Sequence, residues 1–179
     1  MATAELLLHP VRLRVVQAFL GDRTLTTTDL RAELPDVPPA TLYRHVGVLA
    51  SAGVLEVAGE RKVRGAAERS YRLVQAAASL GPEEAAAMTA EEHRHAFTTF
   101  VAALLADFGR YVDGASQEGG SLDLLADRVG YRQAALWLTD EEFDDLAGDL
   151  AAVLTERMGN RPDGTRRRRL ISTVHLPGE

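Results

Sequence analysis

The chain has no cysteine, so disulfides, thiolate metal sites and cysteine nucleophiles are excluded, and nothing in it calls for an oxidising compartment. Long apolar runs are missing too. No stretch approaches the roughly 18 consecutive apolar residues of a membrane span. The start, with Glu5 and no early basic residue, is not that of a secretory signal. A soluble cytoplasmic protein with no membrane association is the default expectation. No Ser-His-Asp set, phosphate loop or HExxH motif is evident, which argues against an enzyme, and no cofactor or metal is expected. His93 and His95, beside Glu91 and Glu92, do not alter this. Residues two apart on a helix point about 200° apart, so a solvated helix end explains them better than a shared ion.

What is present is a core-forming composition, 46% hydrophobic over 179 residues, with charge divided unevenly along the chain. Residues 1–75 carry 10 Lys and Arg against 8 Asp and Glu, a balance of +2. Residues 76–179 carry 10 against 18, or −8, which together give the net −6. Five basic residues, Arg61, Lys62, Arg64, Arg69 and Arg72, crowd into twelve positions of the first part, a local patch of the kind phosphate contact needs. A solvated hairpin is the bland reading of the same cluster.

The central stretch runs from Val37 to Leu55. Pro39 suits a first helical position and Gly53 a left-handed helix end, which predicts a helix over residues 39–52. Leu42, Val46 and Leu49 share the core face, leaving Ala40, Thr41, Tyr43, Arg44 and Gly47 on or near the other side. That outer face is slim, polar and cationic, as a helix entering the major groove requires. Arg44 can fork onto guanine and the Tyr43 hydroxyl can reach phosphate or a base edge. His45 is expected to pack between helices.

Upstream, Pro10 opens a helix whose Leu13, Val16 and Leu20 share a face, with a stop at Gly21 and Asp22. Thr26 reads as the cap of a short helix over residues 27–34 that buries Leu30 and Leu34. A turn of about four residues then leads to the reading helix, the short connection of a helix-turn-helix. Downstream, Leu55 and Val57 alternate, as do Tyr71 and Leu73, which predicts a β-hairpin turning near Gly65 and carrying the basic cluster. Three helices and a hairpin make a winged helix.

The stretches 8–16, 41–49 and 69–73, together with Gly53, Val54 and Leu55, resemble the ArsR-like winged helix-turn-helix transcriptional regulators over about residues 6–74. The resemblance implies a homodimeric, operator-binding regulator, with Thr41, Tyr43 and Arg44 facing double-stranded DNA and His45 at the edge of the helix interface. Metal-sensing members often hold their ion with cysteines, which are absent here.

Residues 76–88 are Ala-rich, broken at Gly81 and Pro82, and read as a linker. Thr89 to Glu92 is a capping box that starts a long helix over residues 90–113, with Gly114 as its stop. Its stripe of Phe97, Val101, Leu104, Phe108 and Tyr111, widened by Phe100, Leu105 and Val112, must be covered, either by its own domain or by the same helix of a second subunit. Residues 115–120 read as a polar loop, and residues 122–125 as a helical turn. Residues 131–138 then read as a strand. Thr139 to Glu142 is a second capping box opening a helix over residues 140–158, with Phe143, Leu146, Leu150, Val153 and Leu154 as its buried stripe. Residues 166–175 read as a last strand, whose Arg166 to Arg169 can partner the acidic helix. Tyr131 and Trp137 are candidates for lining an apolar pocket for a small-molecule effector, although core packing is the commoner fate of such residues.

The expected fold is mainly α with a small β part (α+β). A winged helix-turn-helix at residues 1–75 and the linker at 76–88 precede a dimerisation and candidate effector-binding domain at 89–179, formed by the long helix and a strand-helix-strand unit. The expected function is a sequence-specific DNA-binding transcriptional repressor acting as a homodimer on a palindromic operator. The alternative is a winged-helix protein-protein adaptor that does not bind DNA, although Arg44 and the wing arginines favour DNA.

Overall fold

The computed structural model describes residues 6–63, 66–78, 80–117 and 121–178. It divides into two compact units, residues 1–121 and 122–179.

The first unit begins with α1 (Pro10–Phe19), β1 (Thr24–Thr26), α2 (Thr27–Glu33) and α3 (Pro39–Ser51). Strands β2 (Leu55–Val63) and β3 (Ala66–Leu73) follow, then a 3-10 turn (Gln75–Ala77), α4 (Pro82–Ala86) and the long α5 (Ala90–Gln117). The α+β class and the winged helix-turn-helix arrangement are therefore as expected. The sheet has one strand more than a hairpin, because β1 adds to the far edge of β3 and gives the antiparallel order β1-β3-β2. Leu55 lies opposite Leu73 and Val57 opposite Tyr71, the pairs that alternation predicts. A register shift after Val57 then bends the hairpin. The expected turn at Gly65 falls outside the described residues.

Local chemistry sets the helix ends. The Thr26 hydroxyl accepts from the Asp29 amide while the Asp29 carboxylate accepts from the Thr26 amide, closing a capping box on α2. These bonds from Thr26 hold the Asp29 carboxyl below its ordinary pKa. Gly53 ends α3 at φ +75°, a conformation that costs a residue with a Cβ about 1–2 kcal/mol. The core joins Val15, Val16 and Phe19 of α1 to Leu30, Leu34, Leu42, Val46, Leu49, Val54 and Leu55. This corrects the expected face of α1. Phe19 is fully buried, whereas Leu13 is half-buried and Leu20, just beyond the helix, is exposed.

Helix α5 continues through Gly114, which does not adopt a positive φ and so does not stop it. Thr99 and Ala103 are buried and the helix packs on α1, with the Thr99 hydroxyl 3.5 Å from the Leu8 carbonyl. Phe97, Leu104 and Phe108 remain 47%, 41% and 40% exposed. Small side chains thus face the domain and large ones face out.

The second unit departs most from expectation. Helix α6 (Asp140–Met158) has its Thr139 capping box and ends at Gly159, yet buries no residue. Phe143, Leu146, Leu150 and Val153 are exposed and do not form a buried stripe. Residues 131–138 and 166–175 are not strands. They run without helix, turn or bend and lack a ladder partner among the described residues, and β propensity without a partner makes no sheet. Trp137 is 98% exposed and Tyr131 is exposed too, so neither lines an enclosed pocket. Two residues of the arginine run expected to partner the acidic helix turn elsewhere. Arg166 pairs with Asp163, and Arg169 donates to the Asp127 carbonyl. Among the described residues, no helix is long and apolar enough to cross a membrane.

Two glycines of the reading-helix region should respond oppositely to the same change. An added Cβ meets nothing within 4 Å at either Gly47 or Gly53, so backbone conformation alone decides. Gly47→Ala should stabilise the protein by about 0.5–1 kcal/mol through helix propensity, and Gly53→Ala should destabilise it by about 1 kcal/mol. Urea denaturation of both variants checks the two signs.

Candidate nucleic-acid interface

Helix α3 is held by one side. Leu42, Val46 and Leu49 are buried, and their periodicity turns Ala40, Tyr43, Arg44 and Gly47 outward, with Thr41 half-buried at the margin. Tyr43 is 49% exposed, and Arg44 makes no ion pair with the described residues. The outer surface is therefore small, hydroxylated and cationic, with space beside Gly47 for close approach.

His45 belongs to the inner side, as expected. Its ring lies 4.3 Å from that of His9, centroid to centroid, and its Nδ1 is buried without a hydrogen-bond partner among the described residues. The His9 Nδ1 accepts from the Val11 amide and so caps α1. Arg44 Nη2 stands 3.5 Å from His45 Nε2. Burial lowers the pKa of both imidazoles below 6.5, and the Arg12 and Arg44 guanidiniums reinforce the shift. The pair is thus held neutral, pinning the start of α1 to the middle of α3 directly under Arg44. Sequence reasoning missed this contact, because His9 was legible only as the neighbour of Pro10.

A second pin lies at the turn before α3. Arg14 forks onto Asp36 with two bonds of 2.7 Å, and the Asp36 carboxyl is held below its ordinary pKa chiefly by that guanidinium. Both pins tie α3 and its entry turn to α1.

The wing is less cationic than its arginines suggest. Arg61 pairs with Glu68 at 2.8 Å, Arg69 with Glu60 at 3.0 Å and Arg72 with Glu56 at 2.5 Å, all across the hairpin. Thr28 of α2 also donates to Glu68, which links the wing to the helices. Lys62 makes no such bond with the described residues, and Arg64 lies outside them. Three of the cluster's described cations thus form a ladder of ion pairs across the hairpin. Such pairs contribute little to stability, because water and salt screen them. His93 and His95 are exposed, and the described residues hold no cluster of three or more metal-ligating side chains.

The histidine pair makes stability depend on pH. Because its pKa values are lower in the folded than in the unfolded state, the contribution is complete above the unfolded value of 6.5 and falls as pH drops below it. Thermal denaturation between about pH 7.5 and about pH 5, above the carboxylate range, should show a falling midpoint. His9→Asn/His45→Leu, which keeps a capping side chain, should flatten that slope; an unchanged slope would remove the pair as its cause.

No curated protein matches the chain. Residues 7–58, which span α1 to the first part of β2, match the family model of a helix-turn-helix domain, and the N-terminal unit carries that domain.

Proposed function

We propose that the chain is a sequence-specific DNA-binding transcriptional regulator of the ArsR-like kind, a repressor that acts as a homodimer on a palindromic operator. The observation that carries this reading is the outward face of α3. Ala40, Thr41 and Gly47 let the backbone approach base edges, while Tyr43 and Arg44 supply a hydroxyl and a fork of donors. Lys62 extends the cationic surface along the wing. Arg61 joins it when phosphate displaces Glu68, and Arg64 adds a further charge in the sequence of the same hairpin.

One helix reads few base pairs, and a two-fold dimer sets two such helices about 34 Å apart along one face of DNA. The exposed Phe97, Leu104 and Phe108 of α5, continued by the half-buried Val101 and Tyr111, supply an apolar stripe for that association. A small-molecule effector would act by changing the spacing of the two reading helices. The adaptor reading draws its support from the wing, where three of four described cations already hold carboxylates.

Selection of bound duplexes from a random pool should enrich an inverted repeat; no enriched motif would favour the adaptor. Arg44→Ala should relax or abolish sequence preference, at a cost of about 1–3 kcal/mol on the selected site. Glu68→Gln should free Arg61 and raise affinity for unrelated duplexes about two- to fivefold at low salt, whereas Lys62→Ala should lower it and flatten the salt slope by about 0.9. Leu104→Glu/Phe108→Glu should sediment as a monomer with native helical circular dichroism; loss of that dichroism would instead make the stripe internal core.

A further inference from the structure

His45 is only 4% exposed, and an imidazole is a poor filler for that space. Its Nδ1 finds no partner among the described residues, and an unpaired polar atom in a buried place costs more than an apolar side chain of similar shape. Packing alone therefore does not call for this ring. Its other nitrogen faces the reading surface: Arg44 Nη2 lies 3.5 Å from Nε2, a long contact between the buried ring and the exposed guanidinium.

That neighbour selects a tautomer. A guanidinium donates and never accepts, so Nε2 can serve Arg44 only with its lone pair, and the proton of the neutral ring then sits on Nδ1. His9 takes the opposite tautomer, since its Nδ1 accepts from the Val11 amide and its proton is left on Nε2. Among the described residues, the charged and titratable groups acting on His45 are His9 at the cap of α1, Arg12 within α1 and Arg44 beside it on α3. None of them is an acid that would welcome a charged ring. Protonation would place an N–H on both ring nitrogens, turning the acceptor in front of Arg44 into a donor and setting two like charges side by side.

Arg44 has much rotamer freedom to lose on reaching a base edge, and it makes no ion pair with the described residues. A contact that favours one of its rotamers in the free protein lowers that cost. We propose that His45 is a positioning residue for Arg44: the lone pair on Nε2 of its neutral ring orients the guanidinium on the outward face of α3, and protonation releases it, so that base readout weakens in acid while backbone contact persists. The effect on base readout rests on the regulator reading above; the tautomer does not.

Nitrogen-15 NMR of the full chain with labelled histidine reads the tautomer directly. At about pH 7.5 His45 should carry its proton on Nδ1. A ring protonated on Nε2 would give Arg44 nothing to donate to and would overturn the proposal, whether or not the chain binds DNA. Discrimination is then measured as the ratio of affinities for the selected duplex and for the same duplex changed at the base pair whose preference Arg44→Ala removes. The ratio cancels the general gain of positive charge in acid. For the wild type it should fall at least about threefold between about pH 7.5 and about pH 5, which brackets the imidazole range.

His45→Gln places a non-titrating amide where Nε2 stood, so it should keep the discrimination of the wild type at the upper pH and lose its pH dependence. His45→Leu should discriminate about three- to tenfold less than the wild type at the upper pH, show no further fall in acid and keep its affinity for unrelated duplexes. Helical circular dichroism at each pH confirms that the variants are folded. A His45→Gln profile that still followed the wild type, or a folded His45→Leu that discriminated as well as the wild type, would make His45 a packing residue and overturn the proposal, while an enriched motif would leave the regulator reading standing. A chain that enriched no motif would lose the regulator reading and the base-readout half of the proposal with it, and the tautomer would still decide whether His45 holds Arg44.

Discussion

The rotation of α3 about its own axis is the constraint on which the rest depends. Leu42, Val46 and Leu49 are buried in the core that also holds Phe19, Leu30 and Val54, and a helix held by three such side chains cannot turn without exposing them. Full burial is worth about 1.5–3 kcal/mol for each. Fixing the inner face also fixes the outer one, so the direction of Tyr43 and Arg44 follows from aliphatic packing. The histidine pair and the Arg14 to Asp36 fork add polar restraints at two further places along α1. A core with those restraints holds the outward residues on a rigid element, which base readout needs.

The wing obeys a different economy. Its ion pairs lie in water, where they contribute little to folding, and their value is that they keep arginine side chains extended across the hairpin at small cost. The cluster of basic residues is therefore weaker electrostatically than a count of arginines implies.

The N-terminal elements were legible because their signals are local. Pro39 and Gly53 bracket α3, Thr26 and Asp29 cap α2, and the alternation of Leu55, Val57, Tyr71 and Leu73 matches the observed register. The three-residue β1 was hidden because Thr26 reads equally well as a cap, and its strand character comes only from β3 alongside. The His9 to His45 contact joins residues 36 positions apart with no periodicity between them. For the site, exposure of Tyr43 and Arg44 could be read from the helical period, but the neutralisation of the wing depends on cross-strand register and could not. Residues 131–138 and 166–175 show the limit most clearly. Their composition favours strands, yet a strand exists only with a partner, and the partner is not found along the described chain.

Helix α5 shows how one amphipathic element can serve two surfaces. Thr99 and Ala103 lie against α1, where small side chains allow close backbone approach, and Phe97, Leu104 and Phe108 point away. A helix whose only role was to cover the N-terminal core would bury its largest side chains, since each aromatic ring removes far more apolar area from water than alanine does. The observed order is the opposite. Phe97 stacks towards Phe100, and Phe108 tilts against Tyr111, so the outward rings are partly organised before anything covers them. Less side-chain freedom then remains to be lost on association, which favours docking by this face over a mobile apolar surface of equal area.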